Sequence, residues 1–200
     1  MEEDFVGVKF EANLSEKEVS FSQQEASVAS ELIEWSKRFS KENLAPTFES
    51  DNALRSAGNL SFRFGGGFVI TSSGGNFDRD SIKDLVLVTD FDFETGKVYA
   101  EGLHNPSSES LIHALVYQTR PDVTAVFHGH DDLILEKADE LELSQVSRLP
   151  YGSKQLAKEV SHALQNSDFV VMKGHGFVCV GSSIKRAGEL TLEVSAKAKG

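Results

Sequence analysis

Two histidines one residue apart, His128 and His130, are the clearest sign of chemistry in the sequence. They follow residues 123–127, a mainly apolar run with the β-branched and aromatic side chains that are typical of a buried strand. Side chains two positions apart on a strand point to the same face, so both imidazoles would project together from the strand end. Paired imidazoles on a rigid element suit a divalent metal ion, although histidines at a strand end can also be half-buried polar residues without a ligand.

Two further segments contain residues that could complete a metal site. His175 stands between Gly174 and Gly176 after a second apolar run, residues 169–172, and glycines permit the backbone to approach a ligand closely. Three neutral imidazoles with one open position are typical of a catalytic zinc site rather than a structural one. Glu109, near the start of a predicted helix, could be the fourth ligand or a base beside the metal.

A metal and a carboxylate in one site indicate a particular type of reaction. The metal polarises a carbonyl and the carboxylate removes the adjacent proton, which together produce an enediolate. Aldol cleavage, epimerisation through carbon–carbon cleavage and some dehydrations proceed in this way. We therefore expect Glu109 and the three histidines to serve a reaction of this group.

Composition and charge limit the class of protein and its partners. The 200 residues, 40% hydrophobic and 26% charged, predict one soluble domain over residues 1–200, with residues 1–20 as a peripheral segment. A net charge of −11 argues against nucleic acid or an anionic membrane as a partner. No apolar run reaches membrane-spanning length, and the acidic N-terminus does not resemble a secretory signal. One cysteine agrees with a reducing cytoplasm, where we expect the protein to act.

Helical and strand patterns alternate along the chain. Ser22 and Glu25 form a capping-box pattern, which predicts a helix that runs to about Glu42. Residues 59–64 and 68–71 flank a glycine turn and predict a hairpin. A second helix that begins at residues 106–108 would place Glu109 in its first turn. Further strands are predicted at residues 4–10, 85–88, 97–100, 123–128, 168–173 and 177–180, and further helices at 131–139, at 152–165 and after residues 182–183.

This order of elements predicts the fold class. Hairpin-connected strands favour a largely antiparallel sheet, and helices are interspersed with strands throughout. We expect an α/β fold, a single-domain three-layer α/β/α sandwich with a central mixed, largely antiparallel sheet.

Six short motifs over residues 20–195 carry a resemblance to a known family. They are Gly58-Asn59-Leu60-Ser61-Phe62-Arg63, Ile70-Thr71-Ser72-Ser73-Gly74, Pro106-Ser107-Ser108-Glu109 with His113, Arg120-Pro121-Asp122-Val123, His128-Gly129-His130 and His175-Gly176. In this order they resemble the class II aldolase/adducin family.

The resemblance implies a ligand and a role for each motif. Zinc would be bound by His128, His130 and His175, with Glu109 as a fourth ligand in the empty site and as the proton carrier once substrate binds. Glycine loops, a helix start and serine hydroxyls can bind a phosphate without net positive charge, although the same residue types also form ordinary turns. The phosphate-binding residues implied by the resemblance are Gly58, Asn59, Ser73, Gly74, Ser107 and Ser108.

The resemblance also implies an activity and an assembly. The expected function is that of a zinc-dependent lyase that cleaves or forms a carbon–carbon bond in a small sugar phosphate, as a homotetramer with its active site near a subunit interface. The same site could serve a dehydratase or an epimerase acting on a ketose phosphate, such as methylthioribulose phosphate or ribulose phosphate. A non-catalytic binding module, as in the adducin branch, is disfavoured because the histidines and Glu109 are intact.

The sequence departs from the family near the predicted site, and Tyr151 and His113 are not assigned to catalysis or metal binding. The segment between His130 and His175 is shorter than in the aldolases of the family, and the tyrosine that a neighbouring subunit supplies there has no counterpart. Tyr151 matches a different, structural motif. His113 lies four residues after Glu109 on the same helix face, and we expect it to make a supporting hydrogen bond rather than to bind the metal.

Overall fold

The computed structural model describes residues 10–50 and 52–200, and it contains a central sheet with helices on both sides. The helices are α1 (Gln23–Lys41), α2 (Ser110–Thr119), α3 (Asp132–Glu136), α4 (Lys154–Ala163) and α5 (Ile184–Lys199). The strands are β1 (Glu11–Glu16), β2 (Thr47–Ser50), β3 (Ala53–Ser56), β4 (Asn59–Phe64), β5 (Gly67–Ile70), β6 (Val86–Asp92), β7 (Lys97–Gly102), β8 (Ala125–Gly129), β9 (Ser144–Val146), β10 (Phe169–Met172) and β11 (Gly176–Gly181).

Nine of these strands form one sheet in the order β1-β7-β6-β5-β4-β8-β11-β10-β9. The outermost pairs, β1 with β7 and β9 with β10, are parallel, and the pairs between them are antiparallel. The predicted mixed, largely antiparallel sheet is therefore confirmed. The remaining strands, β2 and β3, form a separate hairpin.

Two apolar clusters cover the two faces of the sheet. Residues of α1, α3 and α5 pack on one face, where Phe39 meets Phe127 edge to face at a centroid distance of 5.3 Å. Residues of α2 and α4 pack on the other face, together with Val126. Because side chains alternate along a strand, His128 shares the face of Val126 and of α2. The helix that begins next to Glu109 thus lies on the same face of the sheet as His128.

Local sequence patterns account for the helix ends. Ser22 accepts a hydrogen bond from the amide of Glu25, and Glu25 accepts one from the amide of Ser22, so the predicted capping box of α1 is confirmed. Ser183 accepts a hydrogen bond from the amide of Arg186 and caps α5 in the same region where the sequence predicts a helix start.

The predicted start of α2 is wrong by a few residues. Glu109 is the N-cap rather than a residue of the first turn, with φ −104° and ψ 13°. Pro106 is held in a β-bridge to Ser72, and the carbonyl of Ser107 accepts the amide of Ser110 in a turn before the helix. These contacts come from a distant loop, so a helix-start pattern alone could not reveal them.

Several short elements lie outside the predicted set. Strand β1, in a segment expected to be peripheral, joins the sheet edge although its sequence is mainly polar, and β9 has only three residues. The helix predicted over residues 131–139 shortens to α3, five residues long. The strand predicted at residues 4–10 falls on residues outside the described part of the chain, apart from Phe10. None of the helices that the structure describes combines the length and apolarity needed to cross a bilayer.

Candidate active site

The three histidines singled out in the sequence converge at the end of β8. His128 lies in β8 and His130 one residue beyond it, and their Nε2 atoms are 3.0 Å apart. His175 lies in the turn between β10 and β11, and its ring stacks on that of His128 with centroids 5.1 Å apart. One ligand atom from each histidine lies within 4.8 Å of the others, so the three side chains could bind one metal ion together.

Backbone hydrogen bonds fix the two histidines that lie outside the strands. The amide of His130 donates to the carbonyl of Leu44 over 2.7 Å, in the loop after α1. The amide of His175 donates to the carbonyl of Met172 over 3.0 Å and closes the turn. Both imidazoles are therefore presented by short, hydrogen-bonded segments at the ends of buried strands.

The glycines around His175 have the steric role that the sequence indicates. Gly174 has a φ of +71°, which side chains rarely adopt. A Cβ at Gly176 would lie 2.4 Å from the carbonyl oxygen of Gly129 and 3.0 Å from Cε1 of His128. A glycine at position 176 thus permits the start of β11 to lie close to the end of β8 and to the His128 ring.

Glu109 connects the histidine cluster to the start of α2. Its Oε2 atom lies 2.9 Å from Nε2 of His128, and its Oε1 atom lies 3.0 Å from Nε2 of His175. The side-chain amide of Asn59 donates to Oε2 over 3.0 Å. With only 4% of its surface exposed, Glu109 brings a buried carboxylate to the three imidazoles.

The arrangement of donors and acceptors around His128 fits a bound cation. Nδ1 of His128 lies 2.8 Å from the carbonyl oxygen of Phe177, which can only accept, so Nδ1 carries a proton. Neutral His128 then has an unprotonated Nε2, and this atom faces both Glu109 and Nε2 of His130. Either a second proton on His128 or a metal cation must lie between these atoms. A divalent cation satisfies the converging nitrogens and the carboxylate at the same time.

Burial and charge set the protonation of the cluster. Burial acts to raise the pKa of Glu109, but the charges and hydrogen bonds of His128 and His175 outweigh burial and hold this pKa well below its ordinary value. Burial, together with the charges of His128 and His175, lowers the pKa of His130 well below its ordinary value. At neutral pH, Glu109 is therefore a carboxylate and His130 a neutral imidazole, which are the forms that bind metals.

A line of buried polar side chains continues from Glu109 into the protein. Oδ1 of Asn59 lies 2.6 Å from Nε2 of His113, and Nδ1 of His113 lies 2.6 Å from Oγ of Ser61. The same Oγ lies 2.8 Å from the hydroxyl of Tyr117. The predicted hydrogen-bonding role of His113 is confirmed, because its ring contacts Asn59 rather than the histidine cluster.

The loop that contains Ser73 and Gly74 lies beside the segment that leads into α2. The amide of Ser73 donates to the carbonyl of Asn105 over 2.8 Å, next to the β-bridge between Ser72 and Pro106. Two of the three segments with predicted phosphate-binding residues are thereby joined through their backbones.

Ser107 and Ser108 follow this junction directly. Ser107 is buried, and its hydroxyl accepts a 3.4 Å hydrogen bond from the amide of Glu109. Ser108 is half-buried. The serines thus immediately precede the residue that reaches the histidine cluster.

Gly58 and Asn59 lie next to His128. Gly58 packs against the carbonyl oxygen of His128, and Asn59 is the register partner of His128 between β4 and β8. The side-chain amide of Asn59 is engaged at both ends, by Glu109 and by His113. A side-chain contact from Asn59 to a phosphate would require it to exchange one of these partners.

Arg55 packs against the Gly74 loop, although the sequence patterns do not single it out. A Cβ at Gly74, whose φ is +70°, would collide with the guanidinium of Arg55. The amide of Ser56 donates to the carbonyl of Gly75 over 2.9 Å and ties β3 to the same loop. A cation therefore lies beside the predicted anion pocket of a chain with a net charge of −11.

Comparison with known proteins identifies the family. The family profile described as Class II Aldolase and Adducin N-terminal domain matches residues 46–147 and 135–199, which is more than half of the chain. The chain belongs to the class II aldolase/adducin family.

Two relatives of this class II aldolase/adducin protein have sugar-phosphate names. L-fuculose phosphate aldolase of Haemophilus influenzae is 30% identical over 154 residues, which cover 69% of this chain and 68% of that protein. The 5-methylthioribulose-1-phosphate/5-deoxyribulose-1-phosphate aldolase of Escherichia coli O45:K1 is 29% identical over 147 residues, which cover 65% of this chain and 66% of that protein. The similarity thus spans about two thirds of the length of each relative.

Solved structures support the same family and fold. An L-fuculose 1-phosphate aldolase superposes with a TM-score of 0.72 at 27% identity, covering 90% of this chain and 85% of that one. A sugar-phosphate aldolase from Thermotoga maritima superposes with a TM-score of 0.72 at 18% identity, covering 86% of this chain and 92% of that one, and shows the likeness of fold alone.

The structure gives contacts near the site to three further residues, Tyr151, Ser61 and Tyr117. The ring of Tyr151 stacks on that of His175, with centroids 5.9 Å apart and an interplanar angle of 6°. Ser61 and Tyr117 complete the polar line behind Asn59. The spacing of Tyr117, four residues after His113 on one helix, is a signal that sequence reasoning could have used. The structural motif that the sequence assigned to Tyr151 gave no sign of its contact with His175.

Proposed function

We propose that this class II aldolase/adducin protein is a zinc-dependent lyase that cleaves or forms a carbon–carbon bond in a small sugar phosphate. The observation that carries the proposal is the convergence of His128, His130 and His175 on the buried carboxylate of Glu109. Three imidazoles and a displaceable carboxylate offer a cation firm binding and leave one position for substrate.

The histidines and Glu109 would hold the metal. When bound, the divalent cation supplies electrophilic polarisation of a substrate carbonyl. The family relationship supports metal dependence in general, and zinc agrees with a donor set dominated by imidazole nitrogen.

In the direction of bond formation, Glu109 is proposed to take the proton from the carbon next to that carbonyl, and in the direction of cleavage to return a proton to the same carbon. To do so, it must give up a present contact, because Oε2 is engaged by His128 and Asn59, and Oε1 by His175. Oε1 has one of these partners and Oε2 has two, so release of Oε1 disrupts fewer interactions. We therefore assign proton transfer to Oε1, while Oε2 keeps its hydrogen bond from Asn59.

The phosphate of the substrate is proposed to bind beside this carboxylate. Backbone amides of the two glycine loops and the serine hydroxyls would donate to it, from the predicted set Gly58, Asn59, Ser73, Gly74, Ser107 and Ser108. The guanidinium of Arg55, packed against Gly74, supports an anion there through its positive charge.

The names of the relatives define which substrates to test first. By these names, the two relatives act on L-fuculose phosphate and on 5-methylthioribulose 1-phosphate or 5-deoxyribulose 1-phosphate. A ketose phosphate is therefore the proposed substrate class. We further propose a cytoplasmic homotetramer, as the family resemblance implies. Light scattering at micromolar concentration should then give four times the chain mass of 21.9 kDa, and a monomer mass would refute the tetramer.

A substrate panel tests the proposed function. Purified protein loaded with zinc should be incubated with L-fuculose 1-phosphate, 5-methylthioribulose 1-phosphate, 5-deoxyribulose 1-phosphate and ribulose phosphate, with release of a phosphorylated ketone fragment followed by NMR. Chelator-treated protein and the His128→Ala variant are the negative controls. Cleavage that needs zinc supports the lyase. Conversion to an epimer or a dehydrated product would replace the lyase by the epimerase or dehydratase, and equal conversion without metal would refute the metal mechanism.

A further inference from the structure

The polar side chains behind Glu109 form a continuous chain of hydrogen bonds, which we call the Asn59 relay. It consists of Asn59, His113, Ser61 and Tyr117, with successive distances of 2.6, 2.6 and 2.8 Å, and it meets Glu109 at 3.0 Å. It joins β4 to α2, because Asn59 and Ser61 lie two positions apart on the strand and His113 and Tyr117 four apart on the helix. None of the distances requires a bridging water.

The direction of every hydrogen bond in the relay follows from its Glu109 end. A carboxylate only accepts, so Asn59 presents its NH₂ group to Glu109 and its Oδ1 atom to His113. Oδ1 only accepts, so Nε2 of His113 carries the proton and Nδ1 is bare. Ser61 must then donate to Nδ1, and the hydroxyl of Tyr117 donates to Ser61.

Burial keeps the members of the relay neutral. Burial lowers the pKa of His113 to about 3, with the charge of Glu109 acting in the opposite direction, so the ring is uncharged at neutral pH. Burial also raises the pKa of Tyr117 above its ordinary value. A neutral His113 can donate from only one ring nitrogen, so its tautomer determines which way the amide of Asn59 faces.

We propose that His113, oriented by Ser61, is a positioning residue that holds Asn59 with its NH₂ group toward Glu109 and so keeps the carboxylate at the histidine cluster. This inference rests on the proposed role of Glu109 as metal ligand and base. If the other tautomer formed, a bare Nε2 would face Oδ1 of Asn59 and favour rotation of the amide. Oδ1 would then face the carboxylate, and the repulsion would move Glu109 away from the histidines.

Removal of the Ser61 hydroxyl is the sharpest perturbation of the relay. Ser61→Ala leaves His113 in place but takes away the donor that keeps Nδ1 bare. Zinc affinity, measured by competition with a chelator, should fall about 10-fold, the lower limit of the usual loss when a partner of a metal ligand is removed. Ser36→Ala is the control, because Ser36 is also a buried serine, and its hydroxyl donates to the carbonyl of Ile33 within α1, on the opposite face of the sheet.

A double-mutant cycle separates positioning from a general structural role. Asn59→Ala removes the group through which the relay acts, so Ser61→Ala should cause no further loss of zinc affinity in the Asn59→Ala background. A structural role for Ser61 predicts additive losses instead. Additive losses, or a Ser61→Ala protein with wild-type zinc affinity, would overturn the proposal.

Imidazole NMR tests the relay without any substrate or metal. The ¹⁵N shifts of His113 in the wild type should show a protonated Nε2 and a bare Nδ1, and Ser61→Ala should increase the share of the Nδ1-protonated form. A protonated Nδ1 in the wild type would refute the assigned direction. If the wild type binds zinc and shows this tautomer but converts no sugar phosphate, the proposed function fails while the relay stands. If the protein converts a sugar phosphate but His113 has the opposite tautomer, the relay fails while the proposed function stands.

Discussion

Glu109 lies between two polar clusters of opposite character. On one side, nitrogen and oxygen lone pairs from His128, His130 and Glu109 converge on one another, and a proton or a metal cation must lie between them. On the other side, in the Asn59 relay, each acceptor meets a donor and the members are neutral. Both clusters are largely buried, so solvent exposure does not distinguish them.

The difference shows how buried polar groups can be interpreted. Unmatched acceptors in a buried site have a free-energy cost that only a ligand or a proton removes, and for this reason we propose the histidine cluster as a metal-binding site. A relay in which every acceptor has a donor needs no ligand, and its hydrogen bonds instead fix the orientation of its side chains. Glu109 takes part in both clusters, because its Oε2 atom accepts a hydrogen bond from Asn59 in the relay, whereas its Oε1 atom lies against His175.

The largest effect is expected from deleting a histidine of the cluster. The wild type should bind about one zinc per chain, and His128→Ala should lose most of it, because the remaining imidazoles leave the ion undercoordinated. His162→Ala is the matched control, since His162 is exposed on α4. Elemental analysis measures both. Equal zinc in wild type and His128→Ala would show that the cluster is not the metal site.

A change at Glu109 should separate metal binding from proton transfer. Glu109→Gln keeps a ligand-capable oxygen and can still accept from Asn59, but it cannot take a proton. Zinc should be retained, and turnover should fall roughly 100-fold or more, the usual scale for loss of a general base. The direct measurement is the exchange, in deuterated water, of the proton on the ketose carbon next to the carbonyl, followed by NMR. Near wild-type exchange in Glu109→Gln would limit Glu109 to the role of ligand and make another group the base.

A smaller effect is expected at the proposed phosphate pocket. The double change Ser107→Ala with Ser108→Ala should weaken the binding free energy of a phosphorylated ligand by about 1.5–3 kcal/mol for each hydrogen bond lost to a charged group. A non-phosphorylated analogue should bind as before. Ser110→Ala is the control, because the Ser110 hydroxyl donates to the carbonyl of Ser107 within the turn. Calorimetric titration that finds equal losses for both ligands would leave the serines with a structural role only.

The last effect concerns stability rather than binding or turnover, and it is a pH dependence that originates in the relay. Unfolded His113 binds a proton below its ordinary pKa of 6.5, whereas the folded ring does so only near pH 3. Between these values the unfolded state binds more protons, so the free energy of unfolding falls as the pH falls, by at most about 1.4 kcal/mol per pH unit for this group. Urea unfolding of metal-free protein from pH 4 to pH 7 should show a shallower dependence for His113→Gln. Parallel curves for wild type and variant would contradict the burial of a neutral His113.

Local patterns in the sequence determined much of the fold and the identity of the metal-binding candidates. The capping box of α1 and the hairpin of β4 and β5 depend on residues close together in the chain, so their patterns are complete within a short window. The common orientation of His128 and His130 at the end of β8 also follows from a short stretch of sequence, because side chains two positions apart on a strand point to one side. The proposed phosphate-binding residues stay a prediction.

Only the tertiary structure decided which partners these residues meet. The register of β4 against β8 sets Asn59 opposite His128, and the packing of α2 on that face brings Glu109 and His113 to the two ends of the Asn59 amide. Those contacts join residues about fifty positions apart, and their geometry depends on strand register and on helix placement over the sheet. A one-residue change in register would reverse the faces and break the contacts, while leaving every local pattern in the sequence unchanged.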